Sequence, residues 1–346
     1  MGRKKTGIKA MKKVLVTGGG GFVGCAIVKS LVNQGCEVFV VGRSKYPHVE
    51  KLGASCLQGD ISDNDFTMRS CNGIDTVFHT AAKAGIWGRW QDYRNTNITG
   101  TKNIVDSCRA HNVKNLIYTS TPSVVFANKD IVGGDESLPY TDTYLCHYSK
   151  SKVVAEKYVL ANNSNNLRTC AIRPHLIWGP GDPHLVPRLL AKGKKRELKI
   201  VGSGSNRVDI SYIDNVVHAH LLAAESLQTN GNAAGKAYFI GQESPVNLWK
   251  WVNDLYGDVG IPQITKRVPF MAAYMAGFLF ELIYRVQRNE NEPKMTRFLA
   301  LQLARSHYFS HTRASRDLGY KPIVSLSEGQ NRLLHWLKTN DPQSIV

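Results

Sequence analysis

The chain has 346 residues, of which 42% are hydrophobic and 21% charged. That supports one large domain, or a large domain with a smaller lobe, and excludes a disordered or fibrous protein. The net charge of +17 comes partly from six basic residues in the first 13 positions and five in Lys192–Lys199; neither cluster belongs to a nucleic-acid module, so they read as a solvated extension and a basic loop.

Residues 1–11 are expected to be a disordered basic extension. No apolar h-region follows the N-terminus, so no secretory signal is expected. The seven cysteines are scattered and form no Cys-x-x-Cys. They read as reduced core residues of a cytoplasmic protein that holds no metal.

Strands and helices then alternate. Lys13–Thr17 is an apolar strand, followed by a helix over Phe22–Gln34. Further strands are expected at Glu37–Gly42, Ala54–Gln58, Thr76–Thr80, Asn115–Ser120 and Arg168–Arg173. Helices are expected at Asn95–His111 and in a segment that carries Tyr148 and ends near Asn162. This alternation predicts an α/β protein: a Rossmann-type doubly wound parallel sheet covered on both faces. Residues 12–178 form mainly this dinucleotide-binding domain. Beyond Gly179-Pro-Gly-Asp-Pro the pattern loosens into a helix near Asn215–Leu227, a short strand at Ala237–Ile240 and later helices. Residues 179–340 are expected to be mainly a smaller C-terminal substrate-binding lobe over the carboxyl ends of the strands, with some segments returning to the first domain. Val268–Val286 is the most apolar late stretch and contains Glu281 and Arg285. It is barely long enough to span a bilayer. A buried or interface helix is expected, with at most peripheral membrane contact and with Glu281 and Arg285 paired on its polar side.

The first strand runs into Gly18, Gly21 and Gly24, with Phe22 and Val23 opening the helix. Glycines there permit a tight turn and close approach of backbone N–H groups to a pyrophosphate, and the helix N-terminus adds positive potential. The second strand ends in Gly42-Arg43-Ser44, without the acid that would hold a ribose diol. Arg43 can pair with a 2′-phosphate, which favours NADP(H) over NAD(H). Asp60 and Ile61 follow the third strand and are placed to meet the adenine. Ala81, in the turn His79–Ala82, is placed on the ribose side.

Tyr148 and Lys152 stand four apart on one helix and share a face. The lysine is expected to lower the phenol pKa, and the phenol to exchange a proton with a substrate oxygen. A hydroxyl partner is expected from the end of the fifth strand, where Ser120, Thr121 and Ser123 are candidates.

Thr17–Gly24, Gly59-Asp60, His79–Ala82, Asn97-x-x-Gly-Thr101, Tyr118–Thr121, Tyr148-x-x-x-Lys152 and Arg173-Pro174 together resemble the extended short-chain dehydrogenase/reductases. Within them the chain resembles the 3β-hydroxysteroid dehydrogenase branch over about residues 12–335. The resemblance implies Thr121 in the usual serine position with Ser120 as alternate, Asn97 supporting the lysine region, and Pro174 beside the nicotinamide. Ala82–Gly88, Tyr118–Val124, Arg173–Asp182 and Tyr212–Asn215 further resemble the 2-alkyl-3-oxoalkanoate reductases of bacterial long-chain olefin biosynthesis. That likeness implies NADPH-dependent reduction of the 3-keto group of a long-chain, lipid-like acid, with apolar walls from Trp87, Trp90 and Val268–Ile283 and a cation for the carboxylate. It leaves room for partner enzymes of the same pathway and for a homodimer. The runner-up is a sterol-type 3β-hydroxyl dehydrogenase. A nucleotide-sugar epimerase and a catalytically idle scaffold rank lower.

Overall fold

The computed structural model describes residues 11–340. The expected basic extension lies outside them except for Met11, which is buried in the main core rather than disordered. Seven strands form one fully parallel sheet: β1 (Lys13–Thr17), β2 (Glu37–Gly42), β3 (Ser55–Gln58), β4 (Thr76–His79), β5 (Asn115–Thr119), β6 (Arg168–Pro174) and β7 (Lys236–Ile240). Their spatial order is β7-β6-β5-β4-β1-β2-β3. The chain therefore reverses direction across the sheet between β1 and β4, and a crevice opens there at the carboxyl ends.

Alternation along each strand separates the two apolar layers. Val14 and Val16 point to one face with Ile27, Val28 and Leu31 of α1 (Phe22–Asn33). Leu15 points to the other with Ile104, Val105 and Cys108 of α2 (Gly100–Ala110), and Ala155 and Val159 of α3 (His147–Ala161). Both faces are covered, so the strands read as continuous apolar runs.

Two later elements join the sheet, and two other segments depart from the expected pattern. The strand β7 pairs with β6 along its whole length, and α4 (Ile213–Gln228) packs on the first face beside α1. These elements return to the sheet from the part of the chain expected to form the outer lobe. The helix expected at Asn95–His111 is interrupted: Arg94–Thr99 is π-helical, and α2 starts only at Gly100. The Lys192–Lys199 cluster is not wholly a loop. Lys192 and Lys194 lie in the last turn of a helix over Leu185–Lys194, where cations offset the negative end of the helix dipole.

The outer lobe has its own core, built around Trp178, Tyr212, Trp249 and Trp251. A small mixed sheet joins Val246–Asn247, Arg207–Val208, His307–Phe309 and Ile131–Gly134. The apolar stretch forms α5 (Phe270–Val286), but its polarity is reversed. Glu281 is 1% exposed and faces inward, held by the backbone N–H of Arg297 at 2.7 Å and its guanidinium at 2.7 Å. Arg285 reaches Glu281 only at 3.5 Å. The pair is therefore not on an outer polar side. Arg297 opens α6 (Arg297–Ala304), so Glu281 pins α5 to α6. Met271, Met275, Phe278, Leu279, Leu282 and Val286 face outward. No helix among the described residues is long and apolar enough to cross a membrane.

Candidate active site

The glycine turn is shaped by two close approaches. Gly18 has φ +69°, and a Cβ there would lie 2.8 Å from the Ala81 Cα. A Cβ on Gly24 would lie 2.3 Å from the Gly18 carbonyl oxygen. These glycines let β1, α1 and the turn after β4 meet. Ala81 thus packs behind the loop, its N–H donating to the Thr17 hydroxyl at 3.2 Å. Gly21 differs: a Cβ there would meet only the Gly18 carbonyl, at 3.3 Å. It caps α1 without a side-chain hydrogen bond. The first N–H groups of α1, at Phe22, Val23 and Gly24, therefore face the crevice without a capping side chain, as an anion site requires.

Arg43 is exposed just past β2, and its side chain makes no ion pair among the described residues. Asp60 turns its carboxylate onto the N–H of Ser62 at 2.8 Å. Ile61 is largely buried against Gly100. Asn97 is deeper than a cofactor contact would be. It is 1% exposed; its oxygen accepts from Lys83 N–H at 2.7 Å, and its amide donates to the Lys83 carbonyl and to Ser151 Oγ at 2.8 Å. It ties the 82–86 loop to the helix carrying Tyr148. The π-helical turn places it there.

Tyr148, Lys152, Ser120, Thr121 and Pro174 converge on one cleft of about 430 Å³, together with Gly18, Gly21, Phe22, Val23 and Gly24. Lys152 is 2% exposed and donates to the Thr119 carbonyl at 2.6 Å, with its ammonium 4.1 Å from the centre of the Tyr118 ring. Burial lowers its pKa to about 7, and the carboxylate of Glu156 opposes that shift. The expected lowering of the Tyr148 pKa by lysine does not occur. Burial dominates and pushes the phenol up to about 12, and the opposing hydrogen bond comes from Thr121. At neutral pH Tyr148 is thus a protonated phenol, a donor. Thr121 also accepts from Ser123 N–H at 3.2 Å. Ser120 Oγ is buried with no partner. Leaving a hydroxyl unpaired costs free energy unless a ligand completes it.

Apolar walls come from Leu176, Ile177, Leu185 and Phe298, residues that composition alone did not single out. Trp87 instead lines a neighbouring hollow of about 650 Å³ with Tyr284 and Arg285. Trp90 lies under the Lys150 ammonium, 4.8 Å from its ring centre, and lines neither space. Within α5, Tyr284 and Arg285 reach the hollow, and no α5 residue lines the cleft.

A further group was missed entirely. Glu156, one helical turn beyond Lys152, is fully buried and receives Arg173 Nη2 at 2.5 Å, Arg173 Nε at 3.1 Å and the Tyr140 hydroxyl at 2.7 Å. Tyr148, Lys152 and Glu156 form a stripe at i, i+4 and i+8 on one helix.

Residues 15–270 match the 3-beta hydroxysteroid dehydrogenase/isomerase family. The chain belongs to that family. It is 44% identical over 323 residues to a 2-alkyl-3-oxoalkanoate reductase of Stenotrophomonas maltophilia, covering 93% of this chain and 98% of the relative. It is 36% identical over 338 residues to a 3 beta-hydroxysteroid dehydrogenase/Delta 5-->4-isomerase of Mycobacterium tuberculosis, covering 93% and 89%. The fold matches a UDP-glucuronic acid 4-epimerase from Bacillus cereus, solved in complex with NAD, with TM-score 0.72 and 21% identity over 95% of this chain and 99% of the other. Membership in the family, with this cleft, makes the chain an NAD(P)-dependent oxidoreductase acting on CH–OH or C=O groups. The uncapped α1 terminus, the open side of Gly21 and the unpartnered Ser120 hydroxyl fit a nicotinamide nucleotide and its partner substrate.

Proposed function

We propose that the protein reduces the 3-keto group of a long-chain 2-alkyl-3-oxoalkanoate to the 3-hydroxy acid, preferring NADPH to NADH, as a step of olefinic hydrocarbon biosynthesis. The observation that carries the chemistry is a protonated Tyr148 beside Thr121 and Ser120 in an apolar-walled cleft. The substrate class rests on the 44% identity to reductases of that name.

The cofactor, when bound, supplies the hydride. The loop Gly18–Gly24 and the start of α1 hold its pyrophosphate, and Arg43 receives the 2′-phosphate. Pro174 closes the cleft beside β6. The hydroxyls of Thr121 and Ser120 orient the keto oxygen, and Tyr148 Oη delivers the proton to it. Lys152, held near neutrality in pKa, returns a proton toward the phenol side and fixes the Thr119 turn through its hydrogen bond. Desolvation by Leu176, Ile177 and Phe298 strengthens each of these polar contacts.

A steady-state assay of NADPH oxidation tests this reading with three substrates: a 2-alkyl-3-keto acid, a 3-ketosteroid and a UDP-sugar ketone. Turnover of the acid well above the other two is expected. Preference for the ketosteroid moves the protein to the sterol-type branch, and failure on all three overturns the reading.

A further inference from the structure

One buried imidazole in the cleft is not used by the chemistry above. His175 follows Pro174 at the carboxyl end of β6 and is 7% exposed. It lines the same cleft as Tyr148. Its Nε2 lies 2.6 Å from Nδ1 of His307, and Nε2 of His307 lies 2.9 Å from the Gln302 carbonyl.

That chain of contacts sets the tautomers. A carbonyl only accepts, so His307 carries its proton on Nε2. A neutral His307 then presents a lone pair at Nδ1, and His175 must donate from Nε2. The remaining nitrogen, His175 Nδ1, is left as a bare acceptor. It has no hydrogen-bond partner among the described residues and is not sealed off by protein. The cleft therefore contains a fixed imidazole lone pair with nothing of the protein to receive.

A carboxylate two bonds from the reacting carbon must lie beside Tyr148, within this cleft. Arg285 and Arg288 line the neighbouring hollow, and the Lys152 ammonium is turned onto the Thr119 carbonyl. We infer that His175 Nδ1 receives the substrate carboxylate and that binding takes up one proton from solvent. This rests on the keto-acid reading above.

The proton count does not depend on where the proton settles. An imidazolium–carboxylate pair and an imidazole–carboxylic acid pair each hold one more proton than the free partners at neutral pH. Burial and His307 keep the empty His175 neutral, so the proton enters only with the acid. The groups facing the pair are His307 on the Ile131-containing small sheet, Asp209 and Asp130 acting on His307, and Tyr148, Lys152, Asp182 and His184 around the cleft. Of these, Lys152 also titrates near neutrality, so the measurement must separate it from His175.

The test measures the dissociation constants of a 2-alkyl-3-hydroxy acid and its methyl ester on the NADP⁺-loaded protein between about pH 6 and 9, for the wild type, His175→Gln and His175→Phe. The hydroxy acid is used because β-keto acids lose CO₂. One proton per ligand gives about a tenfold weakening of acid binding per pH unit, beyond whatever slope the ester shows. His175→Gln retains Lys152, so any slope that Lys152 gives to acid binding persists in that variant. The expected result is a steep slope for the acid in the wild type, the ester's slope for the acid in His175→Gln, and weak acid binding with intact NADPH binding in His175→Phe. An acid slope equal to the ester's in the wild type, or an unchanged acid slope in His175→Gln, overturns the role of His175. If the acid is nevertheless turned over, the reductase reading stands. If neither acid nor ester binds, both fall.

Discussion

Glu156→Gln separates the support of the site from its chemistry. The carboxylate is fully buried, the Arg173 side chain is 4% exposed, and the two meet at 2.5 Å with a second contact at 3.1 Å. The amide keeps the volume but sets an NH₂ group against the guanidinium and leaves a buried cation unbalanced. Breaking one partner of such a pair costs about 3–5 kcal/mol. At roughly 2 °C per kcal/mol for a chain of this size, the melting midpoint falls by about 6–10 °C. The second effect is on Lys152. Glu156 is the group that raises the lysine pKa against burial. Without it the ammonium loses its proton at lower pH, so the alkaline limb of kcat/KM moves downward. Thermal unfolding and a pH–rate profile measure the two effects. The double variant Glu156→Gln, Arg173→Met removes the stranded cation and restores the midpoint without restoring the limb. A midpoint unchanged to about 2 °C, or an unmoved limb in both variants, refutes the coupling.

Arg43→Ala weakens NADPH by about tenfold or more, the value of a charged hydrogen bond of roughly 1.5–3 kcal/mol, and leaves NADH nearly unaffected; equal losses in a titration of both nucleotides contradict the 2′-phosphate assignment. Thr121→Val keeps the branched shape, removes the hydroxyl beside Tyr148 and lowers kcat by roughly two- to tenfold. Ser120→Ala, measured in parallel, shows whether the unpartnered hydroxyl adds to substrate orientation, and indifference to both changes removes β5 from the site. The outward stripe Met271–Val286 with Glu281 turned inward to Arg297 gives a protein that fractionates as soluble or leaves membranes with carbonate; a need for detergent contradicts this.

The parts legible in the sequence were those with local physical causes. A continuous apolar run, Val14-Leu15-Val16, marked β1 as a buried strand, glycine spacing marked the phosphate turn, and a four-residue interval placed Tyr148 and Lys152 on one face. What escaped depended on distant partners. His175 was visible only as one letter of a motif, because His307 lies 132 residues away. Glu156 carried no local signal, because its partner Arg173 comes from β6, a separate element. Which later segments return to the sheet was not legible, because the edge pairing of β7 with β6 leaves no local mark. In α5 it was the charge that misled: Glu281, expected on a polar side, is buried against Arg297 of α6. The phenol pKa was misjudged for a related reason: burial is a property of the packed cleft, and the group that opposes it is Thr121 rather than the lysine four residues away.

Whether Tyr148 delivers the proton is measured by turnover of Tyr148→Phe with the 2-alkyl-3-keto acid, alongside NADPH binding to the same protein. The ring and the packing stay; only the proton donor is lost. General acid catalysis contributes about 10²–10⁴-fold. A fall of that size with cofactor affinity intact is expected, and turnover close to wild type shows that Tyr148 is not the proton donor.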